Sequence, residues 1–114
     1  MTGGTGFGYT SVTLTLDLAL KGASYDLTGS ILVKQYFPCI PLVPYCSPHY
    51  VDTTLGLSGV LTPGVQGNIN VSGAPAGNSP SYNGTIGSDG RTFQSFLKGL
   101  PTLGITGLYI NASQ

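Results

Sequence analysis

The chain carries almost no charge. Its 114 residues include four Lys or Arg and four Asp or Glu, so that 7% of the residues are charged and the formal net charge is zero. Soluble domains are typically about 25% charged. Glu is absent, and surface polarity must come from Thr, Ser, Asn, Gln and the backbone. Because such a surface gives little repulsion between copies, the composition favours a protein that associates with itself.

Other absences argue against whole classes of function. The four basic residues are scattered along the chain, so we expect no nucleic-acid binding through phosphate contacts. No apolar run reaches the length of a membrane-spanning helix, and we expect no membrane span. No segment has convincing helical spacing, and no glycine-rich loop lies between a strand and a helix, which argues against nucleotide binding. We therefore predict no cofactor.

The N-terminus is rich in glycine and lacks the basic and apolar regions of a signal peptide. We expect either a cytosolic chain or a mature form from which a signal has been removed. The β-rich pattern and the paired cysteines favour an extracellular or cell-surface location. Residues 1–8 are predicted to form a flexible Gly-rich leader, followed by a single β domain over residues 9–114.

The sequence is rich in alternation between apolar and polar residues. In residues 9–20, leucines and a valine occupy every second position and face away from Ser, Thr and Asp, which is typical of a half-buried strand. Asp89-Gly90 is the strongest hairpin-turn signal. Further strands are predicted at residues 25–36, 51–61, 67–73, 81–87, 91–98 and 103–112. We predict an all-β fold, an antiparallel sandwich or small barrel of about seven short strands.

Residues 37–50 interrupt this rhythm with four prolines and hold both cysteines, Cys39 and Cys46. An even cysteine count in a chain of extracellular character favours a disulfide over two free thiols. Closing a loop of this length contributes about 2.5 kcal/mol to stability in the chain-entropy model. His49 is the only histidine, so the sequence lacks a fourth ligand for zinc and we predict no metal site.

The same segment is apolar and aromatic, and its candidate binding residues are Tyr36, Phe37, Tyr45 and Tyr50. One interpretation is a rigid display loop whose aromatic side chains anchor a partner. The other is a lid that folds back over an open end of the barrel. The sequence leaves both interpretations open.

No catalytic set can be assembled from the titratable residues, and we predict no catalytic residues. His49 lacks a recognisable nucleophile or carboxylate motif around it. Asp17 and Asp26 flank the first hairpin turn, where two facing carboxylates would suit glycoside hydrolysis, but two solvent-facing strand residues are expected instead. Three sequons are candidate glycosylation sites if a glycosylating organism secretes the protein. They begin at Asn70, Asn83 and Asn111.

Together these observations predict a non-enzymatic structural subunit of an extracellular assembly, such as a filament, sheath or matrix. Its expected partner is itself, and the expected contact is β-strand pairing through residues 9–20, where Asp17 is the only charge. The alternative is a monomeric secreted β-barrel that binds a glycan or a small apolar ligand through the aromatic loop 36–50. The oligomeric state distinguishes the two functions: the first predicts an oligomer and the second a monomer.

Overall fold

The computed structural model describes residues 1–39 and 47–114, apart from the side chain of Phe7. The described chain folds into eight antiparallel strands and one short 3-10 helix. The strands are β1 (Thr2–Phe7), β2 (Thr10–Lys21), β3 (Ser24–Phe37), β4 (His49–Leu61), β5 (Gly67–Ser72), β6 (Ser81–Ile86), β7 (Thr92–Lys98) and β8 (Leu108–Ser113). The predicted all-β antiparallel fold is confirmed, in its barrel form.

Each strand pairs with the next in sequence, and β1 pairs with β8 to close the barrel. In the β2–β3 ladder, the residue pair next to the turn is Lys21 opposite Ser24. Pairing is long between β2, β3 and β4 but short elsewhere: β4 and β5 share only three residue pairs, centred on Leu57 opposite Val71. The closure between β1 and β8 consists of one residue pair, Thr2 opposite Ser113. The barrel therefore has a long side and a short side.

The alternation seen in the sequence places one apolar face of each strand inside the barrel. The core is made mainly of Leu and Ile with the ring of Phe93, and it contains one buried polar pair, Tyr82 and Ser95. The Asp89-Gly90 turn joins β6 to β7 as predicted: Asp89 accepts a hydrogen bond from the Arg91 backbone N–H, and Gly90 has φ +70°. In β2, Val12, Leu14 and Leu16 are buried on the face that the alternation predicts, whereas Leu20 at the end of that face is 65% exposed.

The predicted leader is wrong for residues 2–7, which form β1 along β2. A Cβ atom at Gly3 would collide with the backbone oxygen of Asn111 in β8. Glycine at this position therefore permits the backbones of β1 and β8 to approach each other closely. A flexible leader and a closely packed strand can both be rich in glycine, so composition alone did not distinguish them.

The predicted strand over residues 103–112 is also wrong in its first half. Pro101–Leu103 forms the 3-10 helix, which ends at Gly104 in the left-handed conformation, and only Leu108–Ser113 is a strand. Leu103 and Ile105 are buried, whereas Tyr109 is 75% exposed, so the three do not share a face. Pro101 at the start and Gly104 at the end break the alternation between them.

Strands β3 and β4 extend beyond the core. A 14-residue strand such as β3 spans about 46 Å, against about 20 Å for the six residues of β5. Fully buried side chains end at Val33 in β3 and Leu55 in β4. We call residues 34–37 and 49–52, which continue past the core, the arm. Within residues 1–39 and 47–114, no helix is both long and apolar enough to cross a membrane.

Candidate functional site

The arm gathers three of the four aromatic residues selected from the sequence. Tyr36 lies directly opposite Tyr50 in the β3–β4 ladder, and Phe37 lies opposite His49. Tyr45 falls within residues 40–46, outside the described residues. Whether this segment forms a lid over an open end of the barrel depends on residues 40–46, so the lid interpretation stays a prediction.

The outer face of the arm carries a row of tyrosine rings. The centroids of Tyr36 and Tyr50 lie 4.9 Å apart, and Tyr9 packs edge-on against Tyr36 with centroids 5.7 Å apart. The ammonium group of Lys34 lies 5.5 Å from the Tyr50 centroid, within cation–π range. Tyr9 and Tyr50 are each about two-thirds exposed. The row is therefore an aromatic surface available to solvent.

The inner face of the arm holds a different pair. The rings of Phe37 and His49 stack with centroids 5.2 Å apart and planes inclined by 19°. His49 Nδ1 is 3.1 Å from the backbone oxygen of Ser47, so the only histidine is engaged locally on an exposed segment. Its ring contact is with an aromatic side chain, which suits a packing role.

One edge of the arm has no strand partner among the described residues. β3 covers one edge of β4 along its whole length. On the other edge β5 pairs with Gly56–Ser58 and lies beside Gly59 and Val60. Gly73 approaches Thr54 and then turns away, with φ +82°. No strand in the described part of the chain pairs with residues 49–53 on this side. We call this stretch the β4 edge, and Val51 on it is 41% exposed.

A second free edge lies on β2, at the opposite end of the long strands. β1 pairs with β2 from Thr10 to Thr15, and Met1 exchanges two backbone hydrogen bonds with Leu16. Beyond that point, residues 17–20 of β2 face no described strand on the β1 side. We call this stretch the β2 edge, and Leu20 on it is 65% exposed.

Asp17 and Asp26, which flank the first hairpin turn, lie on the outer surface of the barrel. Asp17 lies opposite Thr28 and Asp26 opposite Ala19, so the two carboxylates are diagonal neighbours on the outer surface. Asp26 instead forms an exposed ion pair with Lys21 at 3.0 Å. Among residues 1–39 and 47–114, no three His, Cys or Asp side chains come together as metal ligands.

The remaining predicted sites are dispersed. Asn70 lies on the exposed face of β5, Asn83 on β6 and Asn111 on β8, each with its side chain outside the barrel core. Cys39 is half-buried just past β3. Cys46 lies outside the described residues, so the Cys39–Cys46 disulfide stays a prediction.

Sequence reasoning missed Tyr9 and both strand edges. Tyr9 follows the same alternation as Ser11 and Thr13, which would have placed it on the outer face, but its neighbour Tyr36 depends on the β2–β3 register. The free edges arise from unequal pairing lengths between neighbouring strands, which no single strand reveals. Comparison with protein-family models, with curated proteins and with solved structures finds no match to this chain.

Proposed function

We propose that the protein is a non-enzymatic structural subunit of an extracellular assembly, in which the β4 edge of one copy pairs with the β2 edge of the next. The observation that carries this proposal is the β4 edge, which extends past the barrel core with Tyr50 and Val51 exposed. A free strand edge beside exposed apolar side chains is a ready template for pairing with another chain.

Charge favours a second copy as the partner. Strand edges are usually protected from pairing by charged side chains, above all Lys. The β4 edge has one charge, Asp52, and the β2 edge has one, Asp17. With a net charge of zero, approaching copies meet little long-range repulsion. The low charge, the cysteine pair and the three sequons support an extracellular setting.

The position of the two edges favours an open chain of subunits. In this up-and-down barrel β2 and β4 run in the same direction, but their free edges lie at opposite ends and face opposite neighbours. Copies in the same orientation would therefore pair these edges in parallel, with a stagger along the strands. A contact between two different surfaces leaves a free edge on each end copy, and it generates a filament when the rotation between copies does not close into a ring.

The second candidate function is a monomeric binding module for a glycan or small apolar ligand. The exposed row of Tyr9, Tyr36 and Tyr50 favours it, because rigid aromatic side chains provide contact area at low entropic cost. This function predicts a monomer at all concentrations and loss of ligand binding in Tyr50→Ala. The assembly predicts concentration-dependent mass, so the same protein sample separates the two.

The experiment is sedimentation velocity over a concentration series for the wild type, Val51→Lys and Val60→Lys. Val51→Lys places a charge on the β4 edge, and we expect it to raise the concentration needed for assembly about tenfold or more. Val60→Lys is the matched control: Val60 is 62% exposed on the same strand, opposite Asp26 and beside β5. We expect it to assemble as the wild type does.

Two outcomes would overturn this proposal. A wild-type protein that stays monomeric up to about 1 mM has no self-association of biological strength. Equal weakening by Val51→Lys and Val60→Lys would show that added charge anywhere, rather than the β4 edge, controls assembly. Circular dichroism of each variant establishes that the fold is retained before masses are compared.

A further inference from the structure

A groove runs across the outer surface of β6, β7 and β8, on different strands from the two free edges. It is an open depression of about 440 Å³, a volume within the range of ligand-binding clefts. Two cross-strand rows form it: Asn83, Phe96 and Tyr109 lie side by side, and Thr85, Gln94 and Asn111 form the adjacent row. Gln66 adds to the rim. We call this feature the sheet groove.

Two aromatic rings form the apolar part of the sheet groove. The centroids of Phe96 and Tyr109 lie 4.7 Å apart with planes inclined by 48°. Phe96 is half-buried, whereas Tyr109 is 75% exposed, the highest value among the exposed large apolar residues. Gly107 allows this packing, because a Cβ there would approach Phe96 Cζ to 3.1 Å. A large ring is thus held in position while most of its surface stays open.

Amide and hydroxyl groups form the polar part. The side chains of Asn83, Gln94 and Asn111 make no hydrogen bond with any described residue, and neither do those of Gln66 and Thr85. Each amide offers one oxygen acceptor and two N–H donors. None of the lining side chains carries a charge. The sheet groove therefore presents paired donors and acceptors beside aromatic rings.

We propose that the sheet groove binds a neutral oligosaccharide. A pyranose ring has an apolar face of C–H groups, which packs on an aromatic ring, and hydroxyls that both donate and accept hydrogen bonds, which amides match. The lack of lysine and arginine in the lining argues against phosphate or uronate ligands, which recruit basic side chains. A wholly apolar ligand would leave the amides without partners, at a cost in free energy.

The sheet groove also contains two sequons, at Asn83 and Asn111. A glycan attached to either asparagine would compete with a ligand, so the test uses protein produced without glycosylation. NMR spectra of this protein are recorded with cellotriose, maltotriose and mannotriose at up to about 10 mM, and with trigalacturonic acid as the acidic control. We expect at least one neutral trisaccharide to shift the amide signals of β6–β8, and the acidic one to have no effect.

Variants assign the effect to the sheet groove. Tyr109→Ala should weaken binding about tenfold, since it removes the exposed ring, while Tyr109→Phe should retain it within about threefold. Val60→Ala is the matched control, because Val60 is 62% exposed on β4 and lies outside both the sheet groove and the arm. The proposal is overturned if no neutral trisaccharide shifts β6–β8, if the acidic sugar binds equally well, or if Val60→Ala weakens binding as much as Tyr109→Ala. All spectra are recorded in the Val51→Lys background, because assembly of the wild type would broaden the amide signals. The residues of the sheet groove lie away from both free edges, so failure of binding and failure of assembly are separate results.

Discussion

The hydroxyl of Tyr82 donates a hydrogen bond to Ser95 Oγ at 2.8 Å, and Ser95 in turn donates to the backbone oxygen of Ile110 at 2.6 Å. This chain of bonds links β6, β7 and β8 inside the barrel. Tyr82 is 2% exposed and Ser95 is 5% exposed. Burial raises the pKa of Tyr82 to about 12, and the hydrogen bond with Ser95 lowers it by a smaller amount. The core thus holds a phenol that resists ionisation.

This pKa predicts a loss of stability at alkaline pH. An unfolded tyrosine ionises near pH 10, whereas folded Tyr82 ionises at about 12. The neutral Tyr82 phenol therefore makes its full contribution to the free energy of unfolding below about pH 10. As pH rises toward 12 the free energy of unfolding falls, by roughly 2–3 kcal/mol. Urea unfolding at several pH values should show this decline in the wild type and a flatter curve in Tyr82→Phe. Tyr109→Phe, which alters an exposed ring, should keep the wild-type slope; an unchanged slope in Tyr82→Phe would refute the assignment.

The seam between β1 and β8 predicts an unequal response from two neighbouring glycines. Gly3→Ala should destabilise the protein by about 2–3 kcal/mol, because the new Cβ meets the backbone of Asn111. Gly4→Ala is the matched control, with Val12 O as its nearest atom at 3.2 Å, and should change stability by less than about 1 kcal/mol. Thermal unfolding measures both. Equal effects would mean that residues 2–7 behave as a leader and not as a strand.

The cysteine pair predicts a thiol-free native protein. Intact mass after alkylation should show no modified cysteine without reductant and two after reduction. Replacing both Cys39 and Cys46 by Ser should lower stability by about 2–3 kcal/mol, the value expected for a short closed loop. Two alkylated thiols in the untreated protein would exclude the disulfide.

The strands of the barrel could be predicted because half-buried strands leave a period-two record in the sequence. Residues 9–20 and 25–36 illustrate this: Val12, Leu14 and Ile31 fall on the predicted face and are fully buried. Glycine leaves no such record. The Thr-Gly pattern of β1 is compatible with a flexible tether or a tightly packed strand, and only contact with Asn111 decides between them.

Both candidate sites are formed by residues on neighbouring strands, and the sequence does not show which of these residues lie side by side. The sheet groove joins Asn83, Phe96 and Tyr109 across three strands through the β6–β7 and β7–β8 registers. The sequence identified Asn83 only as a sequon, and it placed Tyr109 only within the strand predicted over residues 103–112. The arm was partly predictable, since Tyr36, Phe37 and Tyr50 flank one loop. Its free edge was not, because it reflects the shortness of β5 relative to β4.

Mixing two edge variants tests the proposed assembly most directly. Val51→Lys blocks the β4 edge but keeps the β2 edge, and Leu20→Lys does the reverse; Leu20 is 65% exposed, so the charge is tolerated by the fold. Head-to-tail pairing predicts that each variant alone is monomeric and that an equimolar mixture sediments as a heterodimer that grows no further. A mixture that remains monomeric while the wild type assembles, or Leu20→Lys that dimerises alone, would contradict pairing between the β4 and β2 edges.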